Sequence, residues 1–221
     1  MFWLQAGARG MIILGLTGSI GMGKTTAANA FRSLSFCVHD ADLAVHKLMV
    51  PGGAAVDEVL NVFPGVAMDG CIDRQALGVI VFADDSKLQQ LEGILHPLVR
   101  RKEHAFLAAA ARRRERLVVL DIPLLLETGG DARCDGVVVV SAPVAIQKSR
   151  VLRRPGMTDE RLQAIMGHQI NDVDKCHMAD FVVQTGLGRA HSLRAIANIV
   201  TVTKSWSPRH WPPVHNSREM A

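Results

Sequence analysis

Cysteine is scarce in this sequence and never closely paired: Cys37, Cys71, Cys134 and Cys176 are scattered over 221 residues without a C-x-x-C spacing. That distribution argues against a disulfide framework and a thiolate zinc site, and predicts reduced thiols and a cytoplasmic location. Long hydrophobic runs are also missing, since no stretch approaches the roughly 20 apolar residues of a membrane span, so no membrane partner is expected. The opening MFWLQAGARGMIILGLTG carries Arg9 directly before a short apolar run and has no cleavage-site pattern after it, which makes it a poor signal peptide. No internal repeat is visible. Charge of neither sign dominates, with 25 Lys and Arg against 21 Asp and Glu. A mildly basic balance suits phosphate-bearing metabolites and does not imply a nucleic-acid partner.

What is present is a pattern of strands alternating with helices, in a chain whose 48% hydrophobic content is ample for a core. The runs at 11–17, 36–40, 116–121, 135–142 and 179–185 are short, largely apolar and mostly Val-rich, as expected of strands buried on both faces of a sheet. Helical stretches follow from Lys24, Asp73, His96, Pro143, Thr158 and Arg189. Parallel neighbours need crossovers, so the expected fold is α/β, a doubly wound parallel sheet flanked by helices. Residues 1–10 read as an appendage, with the pattern of the fold starting at Met11, a candidate natural start. The tail from Trp206, rich in Pro and polar residues, is expected to be loosely held.

Between the first strand and the first helix lies GLTGSIGMGKTTAANAF, residues 15–31. Gly18, Gly23, Lys24 and Thr25 match G-x-x-x-x-G-K-[ST] in the strand-to-helix context that gives the motif its mechanism. Glycines let the backbone curl so that successive N–H groups face phosphate oxygens, aided by the positive end of the helix. Lys24 would reach the β- and γ-phosphates of ATP, and the Thr25 hydroxyl would ligate Mg2+. An N-K-x-D-like motif and an L-S-G-G-Q-like signature are both missing, which disfavours a GTPase and a transport ATPase. A small kinase remains, which must place an acceptor hydroxyl beside the γ-phosphate, polarise it with a carboxylate and cover the transferring group with arginines.

Candidates for each part are visible. Asp40 and Asp42 sit just past the second strand, at a carboxyl end, where doubly wound sheets bind ligands. Either could accept a hydroxyl proton or hold a water on Mg2+, and either could instead cap the following helix. Arg150, Arg153 and Arg154 precede a Pro-Gly break, Thr158 reads as an N-cap and Arg161 follows one turn in, the composition of a mobile lid with phosphate-clamping guanidiniums.

These segments, in order, resemble the dephospho-coenzyme A kinase family. The resemblance runs from about Met11 to Val200 and rests on GLTGSIGMGKTT, DAD at 40–42, IDR at 72–74, LHPLV at 95–99, DIPLLLE at 121–127, Gln147 with Arg150 and Arg154, Gln169, and ADFVV at 179–183. It implies a P-loop fold with a five-stranded parallel sheet, a helical substrate-binding insertion at about 51–110 and a lid at about 150–170. It also implies transfer of the ATP γ-phosphate to the ribose 3'-hydroxyl of dephospho-coenzyme A, with Mg2+. Gly18 and residues 21–26 (Gly21, Met22, Gly23, Lys24, Thr25 and Thr26) would hold the nucleotide together with Arg150 and Arg154. Asp42 would be the general base, with Lys24 and Arg150 assisting, and Asp40 would support the base or the water shell of the metal. Arg74, His96 and Pro123 would contact substrate, although His96 before Pro97 reads equally well as structural. Asp121 reads equally as a Walker B carboxylate or as part of a substrate-facing turn. Ala164 and His168 stand where many relatives have a lid arginine, and Thr185 where many have asparagine. The chain is expected to act as a monomer or weak homo-oligomer. Another P-loop small-molecule kinase and a non-catalytic nucleotide sensor are the competing readings; the first has no reason to carry DAD, LHP and PLLLE together, and the second would be expected to lose a catalytic carboxylate or Lys24, neither of which is lost.

Overall fold

A computed structural model describes residues 10–68 and 71–212. The chain opens with β1 (Ile12–Thr17), α1 (Lys24–Ser33) and β2 (Cys37–Asp40). It continues through α2 (Ala41–Met49), α3 (Val56–Val62), the short strands β3 (Ala67–Met68) and β4 (Cys71–Ile72), α4 (Arg74–Phe82) and α5 (Asp85–Arg112). β5 (Leu117–Asp121), β6 (Gly136–Ser141), α6 (Val144–Leu152), α7 (Asp159–Gly167), α8 (Asp172–His177), β7 (Phe181–Gln184) and α9 (Arg189–Thr203) complete it. Two compact units result, one of residues 40–108 and one formed by the chain on either side of that segment.

The larger unit is the expected α/β layer structure. Its sheet has the order β2-β5-β1-β6-β7, and β1 pairs in parallel with both β5 and β6, as β6 does with β7. Every residue of β1, β5 and β6 is buried, which is why their sequences are apolar runs without alternation. Ala27, Ala28 and Phe31 of α1 and Ile196, Ile199 and Val200 of α9 close one core with Leu14, Leu16, Val138, Val140 and Val183. Because β1 is central, the loop that leaves its carboxyl end is flanked by the ends of β5 and β6.

The smaller unit is helical around Leu48, Val59, Phe63, Leu77, Leu91, Leu95 and Leu98. Here the sequence reading needs a correction: α5 is one helix from Asp85, and His96 lies in its interior, not at its start. Pro97 cannot donate to the Gly93 carbonyl and crowds it, a cost of about 3 kcal/mol in a helix interior. Leu91, Ile94, Leu95 and Leu98 sit at i, i+3, i+4 and i+7 and are all buried. Each buried side chain of this kind contributes about 1.5–3 kcal/mol, so the stripe outweighs the proline. Gly93 and Pro97 both lie on the exposed side, where water solvates the freed carbonyl.

A second correction concerns the tail. Residues 206–212 are anchored at Trp206 and Arg209, while 213–221, like residues 1–9, lie outside the described residues. Trp206 stacks on Phe181 with ring centroids 5.5 Å apart, over Gly136, where a Cβ would meet the indole at 2.6 Å. The Arg209 N–H donates to Asp135 Oδ1 at 2.7 Å, and Asp135 Oδ2 accepts from the Ile13 N–H at 2.8 Å. A proline-rich composition reads as loose only until such partners exist. Truncation before Trp206 is therefore expected to cost about 2–4 kcal/mol of unfolding free energy, from the lost stacking, apolar burial and hydrogen bonds. Urea denaturation checks this; an unchanged midpoint would mean that the strap adds nothing.

Candidate active site

Residues 18–23 form a tight loop between β1 and α1. Gly21 and Gly23 have φ of 78° and 89°, left-handed backbone that L side chains rarely adopt. Space is as restrictive as conformation. A Cβ on Gly21 would meet Val151 Cγ2 at 2.5 Å, and one on Gly23 would meet Thr185 Oγ1 at 2.8 Å. Lys24 and Thr25 open α1, whose first-turn N–H groups and dipole make this end of the helix favourable for anions.

The ammonium of Lys24 is already oriented. Its Nζ donates to Asp121 Oδ1 at 2.6 Å, and the Asp121 side chain is only 4% exposed. Asp121 thus stands beside the lysine of the loop, which favours the Walker B alternative over a substrate-facing turn for this residue. The turn after it is tied to β1: the Ile122 N–H donates to Leu16 O at 3.0 Å and the Thr17 hydroxyl to Pro123 O at 2.8 Å. Pro123 is thereby fixed next to the start of the loop.

Arg150 lies on α6 and turns inward. Its Nη1 donates to Gly21 O at 3.3 Å and to Thr185 Oγ1 at 3.0 Å, and its Nη2 to Thr185 O at 2.9 Å. Arg153 and Arg154, at the end of α6, are exposed. Thr158 caps α7 as expected, accepting from the Arg161 N–H at 3.3 Å, and Arg161 Nη1 donates to Gly156 O at 2.5 Å. Ala164 lies within α7, and His168 is its exposed C-terminal cap residue.

In the smaller unit, the Asp40 carboxylate accepts from the Leu43 N–H at 2.9 Å and so caps α2. Asp42 is exposed in the first turn of that helix. His46, one turn further along the same face, lies 2.9 Å through Nδ1 from Arg74 Nη1. Arginine has no acceptor, so Nδ1 must accept and the ring proton must sit on Nε2. His96 is exposed in mid-helix.

One buried participant, Lys175, escapes a reading of the sequence, and it belongs to a network that the motif residues Gln169 and Glu127 make. Gln169 Oε1 accepts from the Ile20 N–H at 3.1 Å, and the neighbouring Ile170 N–H donates to Glu127 Oε1 at 3.1 Å. The same Glu127 oxygen lies 2.7 Å from Nζ of Lys175, which is fully buried. Gln169 and the Glu of PLLLE stand out in the sequence by their motifs, but Lys175 carries no signal in NDVDKCH. Its neighbour Cys176 has its thiol pushed up from the ordinary value, chiefly by burial and then by the Asp172 carboxylate, so it stays protonated near neutrality. All four cysteines are free thiols, in line with their spacing.

Comparison with known proteins converges with this geometry. The dephospho-CoA kinase family profile matches residues 12–188. A dephospho-CoA kinase from Rhodospirillum rubrum is 52% identical over 201 residues, covering 90% of this chain and 95% of the relative. One from Paramagnetospirillum magneticum is 59% identical over 75% of this chain and 78% of its own length. Among solved structures, a Thermus thermophilus protein superposes with a TM-score of 0.80 at 32% identity, over 90% of this chain and all of that one. The dephospho-CoA kinase of Campylobacter jejuni gives 0.64 at 25% identity, over 87% of this chain and 97% of that one.

Proposed function

We propose that this chain, which belongs to the dephospho-CoA kinase family, transfers the γ-phosphoryl group of ATP to the ribose 3'-hydroxyl of dephospho-CoA, giving coenzyme A and ADP. That reaction is the final step of coenzyme A biosynthesis. The observation that carries the reading is the complete phosphate loop, with Lys24 held at 2.6 Å by Asp121, in a chain matched by the family over strand, loop and lid segments alike.

The work divides among residues by their chemistry. Gly18, Gly21, Met22, Gly23, Thr25 and Thr26 form the cradle for the ATP phosphates, and Lys24 neutralises charge where it develops in transfer. Asp42 takes or polarises the proton of the acceptor hydroxyl. Arg150 steadies the loop from below, while exposed Arg154 supplies a guanidinium from the lid at about 150–170. Arg74, His96 and Pro123 contact substrate, with the insertion at about 51–110 receiving its pantetheine arm.

Mg2+ fits the chemistry of the donors: Thr25 offers an exposed hydroxyl beside Lys24, and the DAD carboxylates are hard oxygen ligands. Thr25 would hold the ion directly and Asp40 or Asp42 through water, and the ion would neutralise phosphate charge. No helix among the described residues is long and apolar enough to cross a membrane. We place the enzyme in the cytoplasm as a monomer or weak homo-oligomer with a small-molecule substrate and no nucleic-acid partner.

A coupled ADP-release assay tests the acceptor, with Mg-ATP and dephospho-CoA, adenosine, AMP, pantetheine phosphate or gluconate. Dephospho-CoA is expected to be the acceptor that releases ADP well above the acceptor-free blank. A rate at the blank with dephospho-CoA, alongside turnover of another acceptor, would sink the assignment.

A further inference from the structure

Three carbonyls in succession along the phosphate loop accept hydrogen bonds from side chains outside it. Ile20 O accepts from Gln147 Nε2 at 2.8 Å, Gly21 O from Arg150 Nη1 at 3.3 Å and Met22 O from the Thr185 hydroxyl at 2.5 Å. A trans peptide holds its C=O and the next N–H antiparallel in one plane. Each held carbonyl therefore aims the N–H of the following residue away from the side chain that holds it: Gln147 aims Gly21, Arg150 aims Met22, and Thr185 aims Gly23. The Met22 N–H is used inside the loop, donating to Ser19 O at 3.1 Å. Gly21 and Gly23 are then the two loop residues whose amides are directed by side chains buried beneath the loop.

Burial decides what these side chains can do. Gln147 is 2% and Thr185 4% exposed, so their effect on a phosphate passes through the backbone. Thr185 is fully used: its hydroxyl donates to Met22 O, with Ser141 O a longer second acceptor at 3.4 Å, while its oxygen accepts from Arg150 Nη1 at 3.0 Å. It sits against Gly23 so closely that a Cβ there would meet its oxygen at 2.8 Å. On the other side, Gln169 takes the Ile20 N–H at 3.1 Å, so both polar groups of Ile20 are fixed without any nucleotide. Donors fixed before charge arrives need no reorganisation when it does, which is where such groups gain their strength.

We propose that Thr185 and Gln147 are positioning residues for phosphate capture, aiming the Gly23 and Gly21 N–H groups by holding the carbonyls of Met22 and Ile20. The proposal rests on residues 18–26 being the nucleotide's phosphate site. It assigns a role to the threonine that follows β7: one hydroxyl bridges the loop carbonyl and Arg150.

The test compares T185V, which removes the hydroxyl at nearly constant shape, with T185S, which restores it, and with Q147M, which removes the amide donor. K24A serves as the control for the phosphate site itself. ATP affinity by titration calorimetry, kcat, and KM for ATP and for dephospho-CoA are measured below every thermal midpoint. T185V and Q147M are expected to weaken ATP binding and raise its KM about tenfold, with KM for dephospho-CoA within about twofold of the parent and T185S close to the parent. Folded T185V and Q147M with parental ATP affinity would overturn the proposal, even if their midpoints fall. So would a T185S as defective as T185V, or an equal rise in both KM values, since packing and not an aimed amide would then be at stake. If T185V does not fold, Q147M decides the matter, because it leaves Thr185 and Arg150 in contact. K24A with parental ATP affinity would instead overturn the phosphate-site reading.

Discussion

Lys24→Ala is expected to lower kcat/KM for ATP by about 10²–10³-fold, the scale on which a single preorganised donor to developing oxyanion charge acts. The lysine is the one cation that the loop itself carries, at the first position of α1, and it lies 2.6 Å from a carboxylate that is nearly inaccessible to water. In the proposed mechanism the ammonium does two things in that setting. It neutralises Asp121 before nucleotide arrives, and it offers the phosphates a charge whose direction is already set. Alanine removes both, so ATP affinity and turnover should fall together, and calorimetric titration with ATP alongside steady-state rates separates them. Lys24→Arg should not rescue, because a planar fork cannot replace a compact ammonium in a space shaped by Asp121. Retention of most of the parental activity in the alanine variant would remove the loop from the mechanism.

The parts of this molecule that were legible in advance are those whose cause is local. The five strands announce themselves as short apolar runs, the central β1, β5 and β6 because both faces of the sheet are covered there, and all five are present where the runs are. The loop announces itself because left-handed backbone and close approach both demand glycine at positions 21 and 23. Thr158 reads as a cap from its own neighbourhood and is one. The bonds that organise the site are of another kind. Lys24 meets Asp121 across 97 residues, Ile20 meets Gln169 across 149 and Met22 meets Thr185 across 163. Nothing in local pattern specifies such pairs, since they follow from the order in which the strands enter the sheet.

Where the reading failed, a local signal was true but outweighed. Pro97 does interrupt backbone bonding, yet Leu91, Ile94, Leu95 and Leu98 continue one buried stripe through it, and the helix follows the stripe. The residues after Trp206 do have the composition of a loose tail. Two specific captures nevertheless hold its described part, 206–212: the Trp206 indole on Phe181 and Arg209 on Asp135. Lys175 shows the same limit from the opposite side: a lysine is among the least expected residues to be wholly buried, and its ion pair with Glu127 makes it tolerable.

The aspartate pair at the start of α2 yields the second large effect. Asp42→Asn keeps the size and hydrogen-bonding reach of the side chain and removes its basic site. If Asp42 accepts the proton of the acceptor hydroxyl, kcat should fall by about 10²–10⁴-fold, the range of general-base contributions, while both KM values stay within a few-fold of the parent. Phosphoryl transfer passes through a loose transition state in which positioning counts for much, so the lower end of that range is the expected value. Asp40 provides the contrast. Its carboxylate accepts from the Leu43 N–H at 2.9 Å, a bond that an asparagine oxygen makes equally well, so Asp40→Asn should leave the cap on α2 in place. What it removes is negative charge. If that charge organises the water shell of magnesium, the resulting loss of rate should be partly relieved as Mg2+ is raised, whereas the loss in Asp42→Asn should not be. Steady-state kinetics of both variants at low and high Mg2+ decide between the roles. A near-parental kcat in Asp42→Asn would remove the general-base role from Asp42, and relief of that variant by magnesium in place of the other would move the base to Asp40 and leave Asp42 as the residue that serves the metal.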